Sequence, residues 1–207
     1  MTSADKLTSL RIVLAPVFFA LYLLPGLFGG SAMPWTVPLL WVVFVISELS
    51  DMLDGQLARR LRQGSEFGKL FDPFADTLTQ LTLFLCFVID GILPSFFYLL
   101  VLYREYSVLF IRNLMLREGI VMGARIMGKL KTLTYVLAAA LALLVASLSR
   151  LDRGLRLIAG LKLGAQVVFA VSVLISVLSF FDYLLVYRRA RAGEAAADHQ
   201  KISGKKC

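Results

Sequence analysis

The chain has 207 residues, of which 58% are hydrophobic and 17% charged; soluble domains average roughly 45 to 50% apolar and about 25% charged. That balance excludes an ordinary soluble domain, and 15 Gly with 6 Pro exclude collagen-like or low-complexity chains. The net charge of +8 suits either nucleic acid or anionic lipid, and the long apolar runs decide for lipid, with no nucleic acid expected as a partner.

A helix needs about 20 predominantly apolar residues to cross a bilayer core. Six such runs occur in chain order: Ile12 to Phe28, Val37 to Ser50, Phe74 to Ile89, Ser95 to Leu116, Leu133 to Ser149 and Leu161 to Tyr187. The first follows Lys6 and Arg11 as a signal peptide would, but its length and the five runs after it predict a retained helix. Gly29-Gly30-Ser31, Asp90-Gly91 with Pro94, and Arg117-Glu118-Gly119 supply turn-forming breaks. The expected organisation is one six-helix membrane domain over residues 1–187 and a basic, disordered tail over 188–207, attracted to anionic lipid. Trp35 and Trp41 suit an interfacial belt.

An even number of spans puts both termini on one side, and the basic residues choose that side. Lys6, Arg11, Arg59, Arg60, Arg62, Lys69, Arg117, Arg125, Lys129, Lys131 and six residues of the tail lie on one face, which is expected to be cytoplasmic. The opposite face has no basic residue in its first two connections but four in its third, Arg150, Arg153, Arg156 and Lys162. That third connection departs from the rule.

The acids are unevenly placed. Glu48, Asp51, Asp54, Asp72 and Asp76 all fall where the second run ends and the third begins. Asp51 and Asp54 stand three apart and Asp72 and Asp76 four apart, so on helices each pair projects from a single face. Carboxylates at membrane depth are costly unless paired, hydrated or bound to metal. Arg59, Arg60, Arg62 and Lys69 are the cations of this segment; divalent ions are the other remedy. All-oxygen ligands select Mg²⁺, Mn²⁺ or Ca²⁺ over zinc, and two such ions about 3.5 to 4 Å apart suit phosphoryl transfer. The bland alternative has these acids capping helices or pairing with nearby arginines. The two cysteines, Cys86 and Cys207, make neither a disulfide framework nor a soft-metal site, and the lone His199 lies in the polar tail, away from any constellation for imidazole catalysis.

The order Asp51-x-x-Asp54-Gly55-x-x-Ala58-Arg59, then eight residues, then Gly68-x-x-x-Asp72-x-x-x-Asp76, resembles the signature of the CDP-alcohol phosphatidyltransferase family. The resemblance implies an all-α, polytopic membrane fold of six transmembrane helices with the active site near the cytoplasmic surface. It implies an enzyme in which an acceptor hydroxyl displaces CMP from a CDP-linked lipid or alcohol. By the same resemblance, Asp51, Asp54, Asp72 and Asp76 bind two divalent cations, Mg²⁺ or Mn²⁺, and Asp76 also takes the proton of the attacking hydroxyl. Gly55 and Arg59, with Ser65 a further candidate, would meet the nucleotide; Gly allows close backbone approach and Arg suits a pyrophosphate. A homodimer is the assembly the resemblance suggests.

The acceptor must be read elsewhere. Arg104 and Arg112 lie eight apart inside the fourth run, with Arg125, Lys129 and Lys131 beyond it and Glu105 the only acid within it. Arginines at that depth call for an anionic ligand. The stretches Lys6 to Ile12, Arg117 to Val121 and Gly128 to Thr132 are similar to the matching parts of the family branch that makes phosphatidylglycerophosphate. On that resemblance the substrates are CDP-diacylglycerol and glycerol 3-phosphate, with Arg104, Arg112, Lys129 and Thr8 around the acceptor phosphate. Thr77 stands where that branch usually has lysine. Transfer of phosphocholine or a related head group to diacylglycerol, inositol phosphate as acceptor, and a divalent-cation transporter using the same carboxylates remain as alternative readings, and so does a pairing of Arg104 and Arg112 with Glu105 and Asp182.

Overall fold

The computed structural model describes residues 3–28, 34–61, 66–118, 126–152 and 155–203, and the side chains of 8–28, 34–51, 68, 70–118, 128, 130–152 and 157–191. Within them the protein is all helical: α1 Ser3–Leu27, α2 Thr36–Leu61, α3 Glu66–Ile89, α4 Ser95–Arg117, α5 Ile126–Arg150 and α6 Leu155–Ser203. Each matches one expected run, α1 stopping at Leu27 one residue before its run ends, and most extend it by a turn or more into polar sequence. The carboxylate-bearing turns of α2 and α3 are such extensions, so the acids sit on helix beyond or at the edge of the apolar stretch.

Among the described residues, four helices, α1, α3, α5 and α6, hold windows long and apolar enough to cross a membrane. The other two carry charge in mid-sequence, Glu48, Asp51 and Asp54 on α2 and Arg104, Glu105 and Arg112 on α4. At 1.5 Å per residue their 26 and 23 residues are nonetheless long enough for a bilayer core of about 30 Å. Val17, Val42, Phe96, Phe110, Leu163 and Leu174 all point outward, an apolar exterior suited to acyl chains rather than water.

In the bundle α3 is central and packs on α1, α4 and α5; α1 also packs on α2, α6 on α4 and α5, and α2 on α5. Fully buried Ala138, Ala142 and Ala146 repeat every fourth residue along α5, and small side chains at that spacing let neighbouring helices approach closely. Aromatic edges lock the middle: Phe84 lies 5.3 Å from the Tyr135 ring and 4.8 Å from that of Phe169, within the range of favourable ring pairs.

Between α3 and α4, Gly91 adopts φ +63 and the amides of Ile92 and Leu93 return to the carbonyl of Phe87, a left-handed helix ending that glycine accommodates without a Cβ clash. Pro94 then caps α4. The expected break at Asp90-Gly91 thus has a local cause.

Three features differ from the sequence expectation or add to it. Helix α6 continues past Tyr187 to Ser203, where a disordered tail was expected; its Ala, Arg, Glu and Gln content favours helix strongly enough to prolong the span. Trp41, expected in an interfacial belt, has a further role: its indole N–H donates to Ser147 on α5 at 3.0 Å, tying α2 to α5. Arg150, one of the four cations on the wrong face, is folded into the bundle. Its guanidinium donates to the Tyr22 carbonyl at 2.8 Å, lies 3.8 Å from Asp90 and sits 4.2 Å over the Tyr22 ring. A cation neutralised within the protein carries little weight in a topology count.

Candidate active site

The candidate site grows from the N-terminal halves of α1 and α3 and the C-terminal half of α2. On α3, Asp72 and Asp76 lie one turn apart, and Asp51 faces them from α2. Helix α1 meets these acids with Thr8 and Arg11, three residues apart and so on one face. The Thr8 hydroxyl donates to Asp72 Oδ1 at 2.5 Å. Arg11 Nη1 donates to Asp51 Oδ1 at 2.5 Å and lies 4.0 Å from Asp76 Oδ1. Thr8 and Arg11 are buried, whereas the side chains of Asp51 and Asp76 are 41% and 48% exposed. Two carboxylates therefore face one guanidinium from below and open outward above it.

Beside them Glu48, Ser47, Thr79 and Gln80 line a small polar gap with Arg11, Asp51 and Asp76. The hard-oxygen donor set fits a divalent ion such as Mg²⁺ or Mn²⁺. Among the described residues, no three His, Cys, Asp or Glu side chains converge closely enough to hold a metal ion by themselves; Arg11 and Thr8 hold Asp51 and Asp72, and the side chain of Asp54 lies outside the described residues. Gly55 and Arg59 fall on α2 with side-chain positions also outside that description, as is that of Lys129 on α5, and Ser65 lies outside the described residues altogether.

Asp76 also forms part of the wall of a second, larger cavity of about 300 Å³, bounded by Pro73 and Thr77 of α3, Arg104, Glu105 and Arg112 of α4, Gly128, Lys131 and Thr132 of α5, and Tyr183 of α6. Arg112 is exposed and has no hydrogen-bond or ion-pair partner among the described residues. Arg104 is committed to the protein: Nε donates to the Ser176 carbonyl at 3.0 Å, Nη1 to Glu105 at 2.9 Å and Nη2 to the Ser179 hydroxyl at 3.2 Å. Lys131 Nζ donates to both oxygens of Glu105, at 2.9 and 3.1 Å. One acid thus lies between two cations, with Arg112 a third positive group at the same cavity.

The sequence-derived residues sort into places. Asp51 and Asp76 meet at Arg11, with Asp72 one turn away on α3 and bonded to Thr8; Arg104 and Arg112 share the larger cavity with Asp76. Thr8, expected at the acceptor phosphate, bonds Asp72 and is absent from the lining of that cavity. Arg11 and Lys131 are the contributors that sequence reasoning placed elsewhere or underused. The signals were present: Arg11 follows Thr8 by one turn, and Gly128, Lys131, Thr132 and Tyr135 repeat at helical spacing, so Lys131 shares its face with the aromatic core residue Tyr135.

The sequence profile described as CDP-alcohol phosphatidyltransferase matches residues 1–178. Among curated proteins the chain is similar to the CDP-diacylglycerol--glycerol-3-phosphate 3-phosphatidyltransferase of Treponema pallidum, 37% identical over 90% of this chain and 89% of that one. It is also similar to a probable phosphatidylglycerophosphate synthase of Mycobacterium tuberculosis, 34% identical over 87% of this chain and 79% of the relative. The CDP-diacylglycerol--glycerol-3-phosphate 3-phosphatidyltransferase of Bacillus subtilis is 30% identical over 68% of this chain and 75% of its own length. A paired-carboxylate site at the edge of a helical membrane bundle and a profile match across most of the chain lead to one conclusion: this protein belongs to the CDP-alcohol phosphatidyltransferase family.

Proposed function

We propose that the protein transfers the phosphatidyl group of CDP-diacylglycerol to the free hydroxyl of glycerol 3-phosphate, giving phosphatidylglycerophosphate and CMP. The observation that carries this reading is the position of Asp76, which belongs both to the carboxylate group around Arg11 and to the wall of the cavity that holds Arg112 and Lys131. A nucleophile anchored by an anionic group in that cavity would have its hydroxyl beside Asp76. The similarity to relatives named for glycerol 3-phosphate supports the choice of acceptor.

In this reading Asp51, Asp54, Asp72 and Asp76 would hold two divalent cations, Mg²⁺ or Mn²⁺, which would supply positive charge to the diphosphate and to the leaving phosphate oxygen. The chain's own groups do the rest. Asp76 accepts the proton of the acceptor hydroxyl, whose oxygen forms the new bond to the phosphorus carrying diacylglycerol as the bond to the CMP oxygen breaks. Arg112 and Lys131 meet the acceptor phosphate, with Lys129 on the same helix as a further cation. Arg104 acts indirectly, holding Glu105 and the buried serines of α6 in place, and Thr8 orients Asp72. Gly55, Arg59 and Ser65 serve the cytidine diphosphate. All six helices cross a cytoplasmic membrane with the carboxylate rim and both termini on the cytoplasmic side, as the basic residues favour.

The test is release of CMP by purified protein given CDP-diacylglycerol, Mg²⁺ or Mn²⁺, and glycerol 3-phosphate, inositol phosphate or no acceptor, beside CDP-choline with diacylglycerol. Release dependent on glycerol 3-phosphate is expected. Release from CDP-choline with diacylglycerol alone would overturn the reading.

A further inference from the structure

Beside the larger cavity lies a much smaller pocket of about 10 Å³. It shares Asp76, Glu105 and Lys131 with the larger one and is completed by two residues that the larger one lacks, Gln80 of α3 and Tyr135 of α5. Such a volume admits one oxygen atom the size of a water and little more.

Most polar groups of this pocket are committed to the protein. Lys131 Nζ donates to both oxygens of Glu105, the Tyr135 hydroxyl donates to Ser176 at 2.7 Å, and the hydroxyl of Thr132, which also lines the pocket, donates to the Gly128 carbonyl at 3.2 Å. Gln80 differs. Its side-chain amide nitrogen is buried and meets no acceptor from the protein, a costly state for a donor. Gln80 stands one helical turn beyond Asp76 and so on the same face of α3, and it borders the gap beside Asp51 as well. The uncommitted amide therefore sits where the carboxylates and the larger cavity adjoin.

That place matches one part of the acceptor. Glycerol 3-phosphate has its phosphate and its terminal hydroxyl at opposite ends of a three-carbon chain, with a second hydroxyl on the middle carbon. With the phosphate at Arg112 and Lys131 and the terminal hydroxyl at Asp76, the middle carbon falls between Lys131 and Asp76, both of which line the smaller pocket. A hydroxyl both donates and accepts, so it suits a side-chain amide in either orientation.

We propose that Gln80 is a specificity-determining residue that receives the non-reacting middle hydroxyl of the acceptor, so that the site takes 1,2-diol phosphates and rejects hydroxyalkyl phosphates that lack this group. The inference rests on the proposed reaction with glycerol 3-phosphate and deepens it, naming what is read between the phosphate and the attacking hydroxyl.

The probe is 3-hydroxypropyl phosphate, which keeps the phosphate, the chain length and the terminal hydroxyl. CMP release by purified full-length protein with CDP-diacylglycerol and Mg²⁺ gives kcat/KM for each acceptor. A hydrogen bond whose loss strands a buried donor is worth a factor of about 10 to 100, and wild type should favour glycerol 3-phosphate by that factor. Gln80→Met, similar in length and without the amide, should lower kcat/KM for glycerol 3-phosphate to near that of the probe and leave the probe's own value within about twofold. Wild type that uses both acceptors equally well overturns the proposal. So does a Gln80→Met protein that loses the same factor on both, because a residue that merely supports α3 does not tell the acceptors apart. Should Gln80→Met not accumulate as folded protein, Gln80→Ala, favourable in a helix, is held to the same outcomes. Wild type that releases CMP with neither acceptor removes the proposed reaction and this inference with it, whereas release with glycerol 3-phosphate and no preference over the probe removes this inference alone.

Discussion

Helices α1 and α3 meet twice, and each time an arginine, an aspartate and a hydroxyl residue come together. At one end, the outer one in the proposed orientation, Arg150 from α5 joins Tyr22 of α1 and Asp90 of α3, with the Tyr22 hydroxyl donating to Asp90 at 2.7 Å. At the inner end Arg11 and Thr8 of α1 meet Asp51, Asp72 and Asp76. The parts are alike and the charge balance differs. One arginine answers one aspartate at the outer end, so the cluster is neutral and serves as a clamp. At the inner end one arginine answers several carboxylates, and Glu48 adds another beside them. Excess acid on half-exposed side chains is an invitation to external cations, because like charges at short range repel and a hard divalent ion relieves them.

Substitutions that break the inner cluster should act on chemistry, and those that break the outer one on stability. The largest effect is expected from Asp76→Asn, which keeps shape while removing the proposed base: turnover should fall by about 10²- to 10⁴-fold, with the thermal midpoint close to that of wild type. Unchanged turnover would remove Asp76 from the chemistry. Next is Arg112→Ala in the larger cavity. Losing the proposed charged contact to the acceptor phosphate should raise the half-saturating concentration of glycerol 3-phosphate by roughly 10- to 100-fold and leave that of CDP-diacylglycerol little altered; an equal rise for both substrates would point to a general disturbance.

The outer clamp supplies the contrast. Arg150→Met leaves Asp90 without its cation and should lower the thermal midpoint by roughly 5 °C, while the half-saturating concentrations stay within about twofold of wild type. A large kinetic defect without a stability loss would erase the distinction between the two ends. The smallest effect is expected from Tyr135→Phe, which deletes the 2.7 Å hydrogen bond to Ser176 behind the larger cavity. About 1 kcal/mol of stability is at stake, and acceptor saturation measured alongside should move by little more than a factor of two.

Much of the architecture was readable because its causes are local. Apolar runs bounded by Asp90-Gly91 and Arg117-Glu118 mark helices that end where those residues stand, and the spacings of Asp51 with Asp54 and of Asp72 with Asp76 belong to single helices. What escaped depends on partners distant in sequence. Arg11 reads as one more basic residue until α1 is laid against Asp51, 40 positions away, and Thr8 looks like a phosphate ligand until Asp72 is placed beside it. Arg150 breaks the charge rule only while its burial against Tyr22 is unknown. Lys131 and Arg104 share Glu105 because α4, α5 and α6 converge, which no spacing within one helix reveals.

The central claim is that divalent ions held by these carboxylates make CDP-diacylglycerol give up CMP. The most direct measurement is CMP release from purified protein, CDP-diacylglycerol and glycerol 3-phosphate after exhaustive chelation, followed by return of Mg²⁺ or Mn²⁺. The account predicts no release in chelator and recovery when either ion is restored; full turnover in the chelated protein would contradict it.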